Sequence, residues 1–130
     1  MKIDPHSHVP IYLQIADAVR AAVAAGVYRP GEMLPSLRAM ALQLHVNPNT
    51  VQRAYDALER EGLIHSQRGR GLFVSDRGTE SAQSMAGDGV RRALDEAIRA
   101  GQISGMTTPQ LQEIFDAALQ RSAQVGRKRS

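Results

Sequence analysis

The chain has 130 residues, 42% hydrophobic and only 4% aromatic, with no Trp, no Cys and a formal net charge of +3 at pH 7. That length holds one ordinary domain, or a small domain with a short appendage, and its core must be aliphatic. Without Cys there can be no disulfide, thiol nucleophile or zinc–thiolate site, and no apolar run reaches the ~18 residues of a membrane span. The opening M-K-I-D-P-H-S-H-V-P lacks the apolar segment of a secretion signal, so a soluble cytoplasmic protein is expected. The mild basic excess permits nucleic-acid binding without demanding it.

In chain order, residues 1–9 read as an extended arm. Pro10 suits the first turn of a helix, and Ile11, Ile15, Val19, Ala22 and Val23 then recur at helical spacing up to a C-terminal cap at Gly26. Pro30-Gly31 makes a turn, and Met33-Leu34 has the character of a very short strand. Ser36 is an N-cap for a second helix with Leu37, Met40, Ala41 and Leu44 on one face. His45-Val46 is the turn. Asn47 caps a third helix and Pro48 fills its first position, with Val51, Ala54, Tyr55 and Leu58 as its buried stripe. Gly62 stops it. Leu63–Gln67 and Leu72–Ser75 read as strands joined by Arg68-Gly69-Arg70-Gly71. Two short helices around a capped turn, then a two-stranded ribbon with a basic tip, describe a winged helix-turn-helix spanning residues 10–75, whose chemistry is reading DNA.

The third helix can be read as a surface. With Val51 at the origin of a helical wheel, Ala54, Tyr55 and Leu58 fall within about 60° of it, whereas Asn49 and Arg53 lie about 160° and 200° away. Asn and Gln pair with adenine and Arg with guanine in the major groove. Asn49, Gln52 and Arg53 are therefore the residues placed to read bases, while Thr50 and the N–H groups of the first turn suit a phosphate. Any solvent-facing helix carries such side chains. The wing, with Arg68 and Arg70 on a glycine-rich tip, tips the balance toward DNA, although a tight hairpin would use the glycines for its own turn.

Four segments resemble the GntR family of bacterial transcription regulators: P-I-Y-L-Q-I at 10–15, Y-R-P-G-E-M-L-P-S-L-R at 28–38, V-N-P-N-T-V at 46–51 and G-R-G-L-F-V at 69–74. They stand in order across residues 10–74, a span of about half the chain. The V-N-P-N-T-V variant and the short tail are similar to the YtrA subfamily. The resemblance implies a dimer that binds an inverted-repeat operator, usually as a repressor. It also implies DNA contacts from Arg38 on the second helix, from the start of the third helix where Asn47 and Pro48 stand, and from Arg68 and Gly69 in the wing. Many family members have Arg at the positions of Pro48 and Gln52, so a base-reading scheme built on those arginines does not transfer. Ala39 stands where Glu is common and removes the usual capping partner of Ser36. The resemblance names no effector and no cofactor.

Residues 76–88, polar and small, form a linker or the start of a fourth helix. Val90, Leu94, Ala97 and Ile98 mark that helix to about Gly101. Thr107 or Thr108 caps a fifth, with Pro109 and Gln110 in its first turn and Leu111, Ile114, Phe115, Ala118 and Leu119 on one stripe. Two helices cannot bury their own stripes. Residues 89–122 are accordingly read as a dimerisation segment in which Leu94, Ile98, Leu111, Ile114, Phe115 and Leu119 meet a second subunit; packing back on the same chain is the competing arrangement. Residues 123–130, ending in R-K-R-S, read as a basic disordered tail able to add weak DNA attraction. The fold class expected is mainly α with a small β wing.

His6 and His8 beside Asp4 could ligate a metal, but no further ligand stands near, and surface histidines on an arm explain them; no metal is expected. No Ser/His/Asp order, carboxylate pair or phosphate loop stands out, so the chain is not read as an enzyme. The expected function is a homodimeric, sequence-specific repressor. One alternative is a protein-interaction module on a winged-helix scaffold, against which the polar outer face of the third helix and the basic wing argue. The other is a truncated effector-binding regulator, against which the complete last helix argues.

Overall fold

The computed structural model describes residues 1–129, with side chains described through residue 125. Its elements are α1 (Ile11–Ala24), α2 (Leu37–Leu44), α3 (Pro48–Arg60), β1 (Ile64–Gln67), β2 (Gly71–Val74), α4 (Gly78–Ile103) and α5 (Thr108–Arg129). They fall into two compact units, one through Gly87 and one from Asp88 onward.

Local chemistry sets the helix ends of the first unit. After α1, Gly26 takes a left-handed φ of 79°. Its N–H donates to the Val23 carbonyl at 3.2 Å and the Val27 N–H to Ala22 at 2.8 Å. This pair of bonds satisfies carbonyls that the helix end would leave bare. Ser36 Oγ accepts from the Ala39 N–H at 3.1 Å to start α2, and Asn47 Oδ1 accepts from the Asn49 N–H at 2.8 Å to start α3 behind Pro48. Between those helices His45 sits at φ 54° and ψ 46°, the left-handed turn that lets α3 change direction and a conformation few non-glycine residues adopt.

The core is aliphatic apart from one phenol and one phenyl ring. Ile15, Ala16, Val19 and Val23 of α1 pack with Met40 and Ala41 of α2, and with Val51, Ala54, Tyr55 and Leu58 of α3, all buried. Every member of the third-helix stripe is therefore inside. The Tyr55 hydroxyl donates to the Pro35 carbonyl at 2.9 Å, which satisfies a buried polar atom and fixes the entry to α2 against α3. Burial, with Tyr28 adding to it, pushes the Tyr55 phenol above its ordinary pKa. On the rim, Arg20 of α1 makes a two-pronged ion pair with Glu61 just past α3, at 2.7 and 3.1 Å, and also reaches Asp17 at 2.8 Å. Burial works against the charged guanidinium, but these bonds outweigh it and leave the Arg20 pKa above its ordinary value.

The wing is an antiparallel hairpin in which Ile64 faces Val74, His65 faces Phe73, Ser66 faces Leu72 and Gln67 faces Gly71. The expected strand at Met33-Leu34 is reduced to one bridge, Met33 to Phe73. Backbone bonds from Leu34 N–H to Leu72 (2.8 Å) and from Val74 N–H to Glu32 (2.9 Å) still tie that segment to β2, so the hairpin is held from its base.

Residues 76–88, read as a linker or the start of a fourth helix, take the second form: α4 begins at Gly78. Their composition is weakly helical, but Ala82 is fully buried and Met85 packs on the same core, and tertiary burial of this kind overrides propensity. The tail expected to be disordered from residue 123 continues α5, which runs to Arg129. Its side chains at 126–130, including the R-K-R cluster at 127–129, lie outside the described residues.

In the second unit, α4 and α5 form a hairpin. Gly105 (φ 83°) makes the turn. Thr107 and Gln110 then close a reciprocal cap: the Thr107 N–H donates to Gln110 Oε1 at 2.9 Å, and the Gln110 N–H to Thr107 Oγ1 at 3.4 Å. The helices approach closely where Gly101 faces Leu111, because a Cβ at Gly101 would collide with the Leu111 side chain. An apolar groove of ≈ 700 Å³ is lined by Leu94, Ile98, Met106, Leu111, Ile114 and Phe115, among others.

Candidate nucleic-acid interface

The outer side of α3 carries the first group of candidate residues. Val51, Ala54, Tyr55 and Leu58 point inward, so Asn49, Gln52 and Arg53 are left exposed, as the helical wheel requires. Their surroundings differ. Gln52 Nε2 donates to Asp56 Oδ1 at 2.8 Å, one helical turn on. Arg53 lays its guanidinium over the Tyr12 ring of α1, Cζ 3.9 Å from the ring centroid. Asn49 makes no side-chain hydrogen bond among the described residues, and its amide has both a donor and an acceptor to offer.

The start of α3 does not hold the free N–H groups expected there. Pro48 has none, the Asn49 N–H is taken by the Asn47 cap, and the Thr50 N–H bonds to the Asn47 carbonyl at 3.0 Å. The cap that fixes the helix start has consumed the donors a phosphate would use. Asn47 and Pro48 are exposed but serve the start of the helix, and half-buried Thr50 keeps its hydroxyl.

Two basic positions flank this face in the chain. Arg38, on the first turn of α2, is exposed and makes no ion pair or side-chain hydrogen bond among the described residues. At the wing tip, Gly69 takes φ 75°, and the Arg70 N–H closes the turn on the Gln67 carbonyl at 2.9 Å. The two tip arginines are held differently. Arg70 donates to Gln67 Oε1 at 3.0 Å and stacks over Phe73 at 5.2 Å, whereas exposed Arg68 makes no side-chain hydrogen bond, ion pair or cation–π contact among the described residues. The surface thus combines amide and guanidinium donors on a helix face with exposed cations on either side of it in sequence, the chemistry of base edges and phosphates respectively.

Sequence reasoning missed two members of this neighbourhood. Tyr12 stands out in the sequence only as part of P-I-Y-L-Q-I, and nothing local pairs it with Arg53. Gln14 holds the N-terminal arm: its side chain accepts from the Asp4 N–H at 2.7 Å and donates to the Asp4 and Val9 carbonyls at 2.8 and 2.9 Å. Among the described residues no three His, Cys, Asp or Glu side chains gather to hold a metal, and no helix is long and apolar enough to cross a membrane.

Five of the six candidate dimer residues line the groove of the second unit, and Leu119 lies one turn beyond Phe115 on α5. Ile98, Ile114, Phe115 and Leu119 remain 42%, 52%, 41% and 54% exposed, with Leu94 and Leu111 half-buried beside them. Exposure of that many large apolar side chains on one hairpin marks an interaction surface.

Comparison with known proteins agrees with this geometry. Residues 11–74 match the model of the bacterial regulatory proteins of the gntR family. The chain is 38% identical over 105 residues to the HTH-type transcriptional repressor YtrA of Bacillus subtilis, which covers 78% of this chain and 81% of that protein. A transcriptional regulator from Oenococcus oeni superposes with a TM-score of 0.77 at 31% identity, over 90% of this chain and 97% of the other. The DNA-binding domain of AraR, solved in complex with operator ORX1, superposes with a TM-score of 0.53 at 26% identity, over 58% of this chain and 93% of that one. The chain belongs to the GntR family and is a DNA-binding transcriptional regulator of the YtrA-like kind, a winged helix-turn-helix followed by two C-terminal helices.

Proposed function

We propose that this regulator is a cytoplasmic homodimeric repressor that recognises an inverted-repeat operator. The observation that carries the sequence-specific part is the outer face of α3, where Asn49, Gln52 and Arg53 stand exposed on a helix whose opposite face is fully buried. A rigid helix presenting short amides and a guanidinium suits the major groove. Arg38 and Arg68 meet phosphates, and Gly69 and Arg70 bring the wing tip to the duplex. Asn47 and Pro48 set the height of the helix start rather than touch bases, and Thr50 offers its hydroxyl to the backbone. The Bacillus subtilis relative is a transcriptional repressor.

The dimer is supported by the apolar groove between α4 and α5. Leu94, Ile98, Leu111, Ile114, Phe115 and Leu119 would be covered by the same residues of a second copy, an isologous interface with the two-fold symmetry of an inverted repeat. In vitro selection from a randomised duplex pool with the full chain tests both parts. The expected product is two half-sites related by a dyad, their centres ~34 Å or a multiple apart. An unpaired half-site, or no enriched sequence at all, contradicts the proposal.

A further inference from the structure

We infer that Tyr12 is a specificity-determining positioning residue: its ring holds the Arg53 guanidinium in a base-reading pose before DNA arrives. The inference rests on the proposal that Arg53 reads a base, and it adds a residue of α1, outside the helix-turn-helix, to the recognition apparatus.

The Arg53 Cζ lies 3.9 Å above the Tyr12 ring centroid, well inside the ~6 Å within which a cation is attracted to an aromatic face. The two groups meet because α1 and α3 share the core. Ile15, Ala16 and Val19 follow Tyr12 by three, four and seven residues, and all three are buried. The half-buried ring is thus carried by a helix whose rotation and height are set by packing. Arg53 follows Val51 and precedes Ala54, both fully buried, so its Cα is equally fixed. What would otherwise be free is the long side chain between Cα and guanidinium.

The stack leaves the chemistry intact. A cation–π contact uses the face of the guanidinium, whereas hydrogen bonds to a base leave through its edge, where five N–H groups lie in the plane. Among the described residues no acidic group pairs with Arg53. Its edge is therefore uncommitted while its face is held. The other arginines of the first unit with side-chain partners are different: Arg60 donates Nε–H to the Asp56 carbonyl and Arg29 pairs with Glu32. Arg20 spends its edge on Glu61 and Asp17, and Arg70 spends part of its edge on Gln67. Arg53 alone of these is oriented without losing donors. Holding the fork in advance spares conformational freedom that recognition would otherwise have to remove.

The test compares full-length wild type, Tyr12→Phe, Tyr12→Leu, Tyr12→Met, Arg53→Ala and the double variant Tyr12→Leu/Arg53→Ala. The probes are the selected duplex and its single-base-pair variants. The quantity read is, for each protein, the ratio of affinities for the preferred and the substituted base pair at each position. Partial unfolding lowers both affinities together and cancels, so a purely structural role of Tyr12 leaves the ratio unmoved. Arg53→Ala should lose at least about fivefold discrimination at one position. Tyr12→Leu and Tyr12→Met should lose about two- to fivefold at that same position, Tyr12→Phe should keep it, and the double variant should fall no further than Arg53→Ala. If Arg53→Ala has a positional effect while Tyr12→Leu and Tyr12→Met do not, or if the losses add in the double variant, the inference is overturned and base reading by Arg53 stands. A flat profile for Arg53→Ala overturns both.

Discussion

Asn49 is where the account is most exposed to a single atom's worth of chemistry. Its side-chain amide is exposed and makes no hydrogen bond among the described residues, so truncation removes no hydrogen bond from the fold. We predict that Asn49→Ala weakens binding to the selected duplex by roughly 1–3 kcal/mol and binding to random duplex far less. Competition titrations with the two DNAs measure the difference, and an equal loss on both would show that Asn49 positions the protein rather than reads a base. Gly78 makes the opposite kind of residue. A Cβ there would stand 2.8 Å from Val74 Cγ1 and 3.1 Å from the Leu63 carbonyl oxygen. The gain in helix propensity from alanine is smaller than the strain of such a fit, so Gly78→Ala should lower stability by about 1–3 kcal/mol. A thermal melt at or above the wild-type midpoint would refute that account of how α4 joins the core. At this scale the sequence was legible where chemistry is local. Asn47-Pro48 announced the start of α3, and the inward residues of α3 followed from periodicity alone. It was silent on Arg53 over Tyr12, because a contact between residues far apart in the chain has no local signature.

Among the elements, α4 separates what a pattern can tell from what packing decides. D-R-G-T-E-S-A-Q-S-M-A-G-D dilutes its good helix formers with two Gly, two Ser, two Asp and a Thr, and an isolated peptide of that length is a marginal helix at best. Burial of Ala82 and packing of Met85 against the winged-helix core supply what composition lacks. The first turn of α3 gives a second case. Good capping chemistry was read as an anion site, but an N-cap that does its work leaves fewer N–H groups to bind anything else. The α5 stripe, by contrast, was plain from spacing. Burying side chains of that size contributes on the order of 1.5–3 kcal/mol each, enough for several together to hold two chains. Phe115→Asp should place an unpaired charge in that interface. Light scattering is expected to show monomers, and circular dichroism a helical protein, since Phe115 lies outside the winged-helix core. A variant that remains dimeric would move the interface away from this stripe.

For the whole molecule, the +3 net charge matters less than where its cations stand. Arg38, Arg53 and Arg68 are exposed without acidic partners among the described residues, and Asn49 and Gln52 offer exposed amides on the same helix as Arg53. Binding through such a surface has two separable parts. One is an electrostatic part shared by all DNA and weakened by salt through counterion release, and the other is a sequence-dependent part that salt touches less. Arg38→Ala should reduce both specific and random binding and flatten the salt slope by about one counterion per chain. The most direct test of the central claim is a titration of the intact chain with the selected duplex and with a scrambled duplex of equal length and composition, across a salt series. The account predicts that both affinities fall as salt rises while the selected duplex stays at least roughly a thousandfold tighter throughout. Equal affinity for the two duplexes at every salt concentration would contradict it.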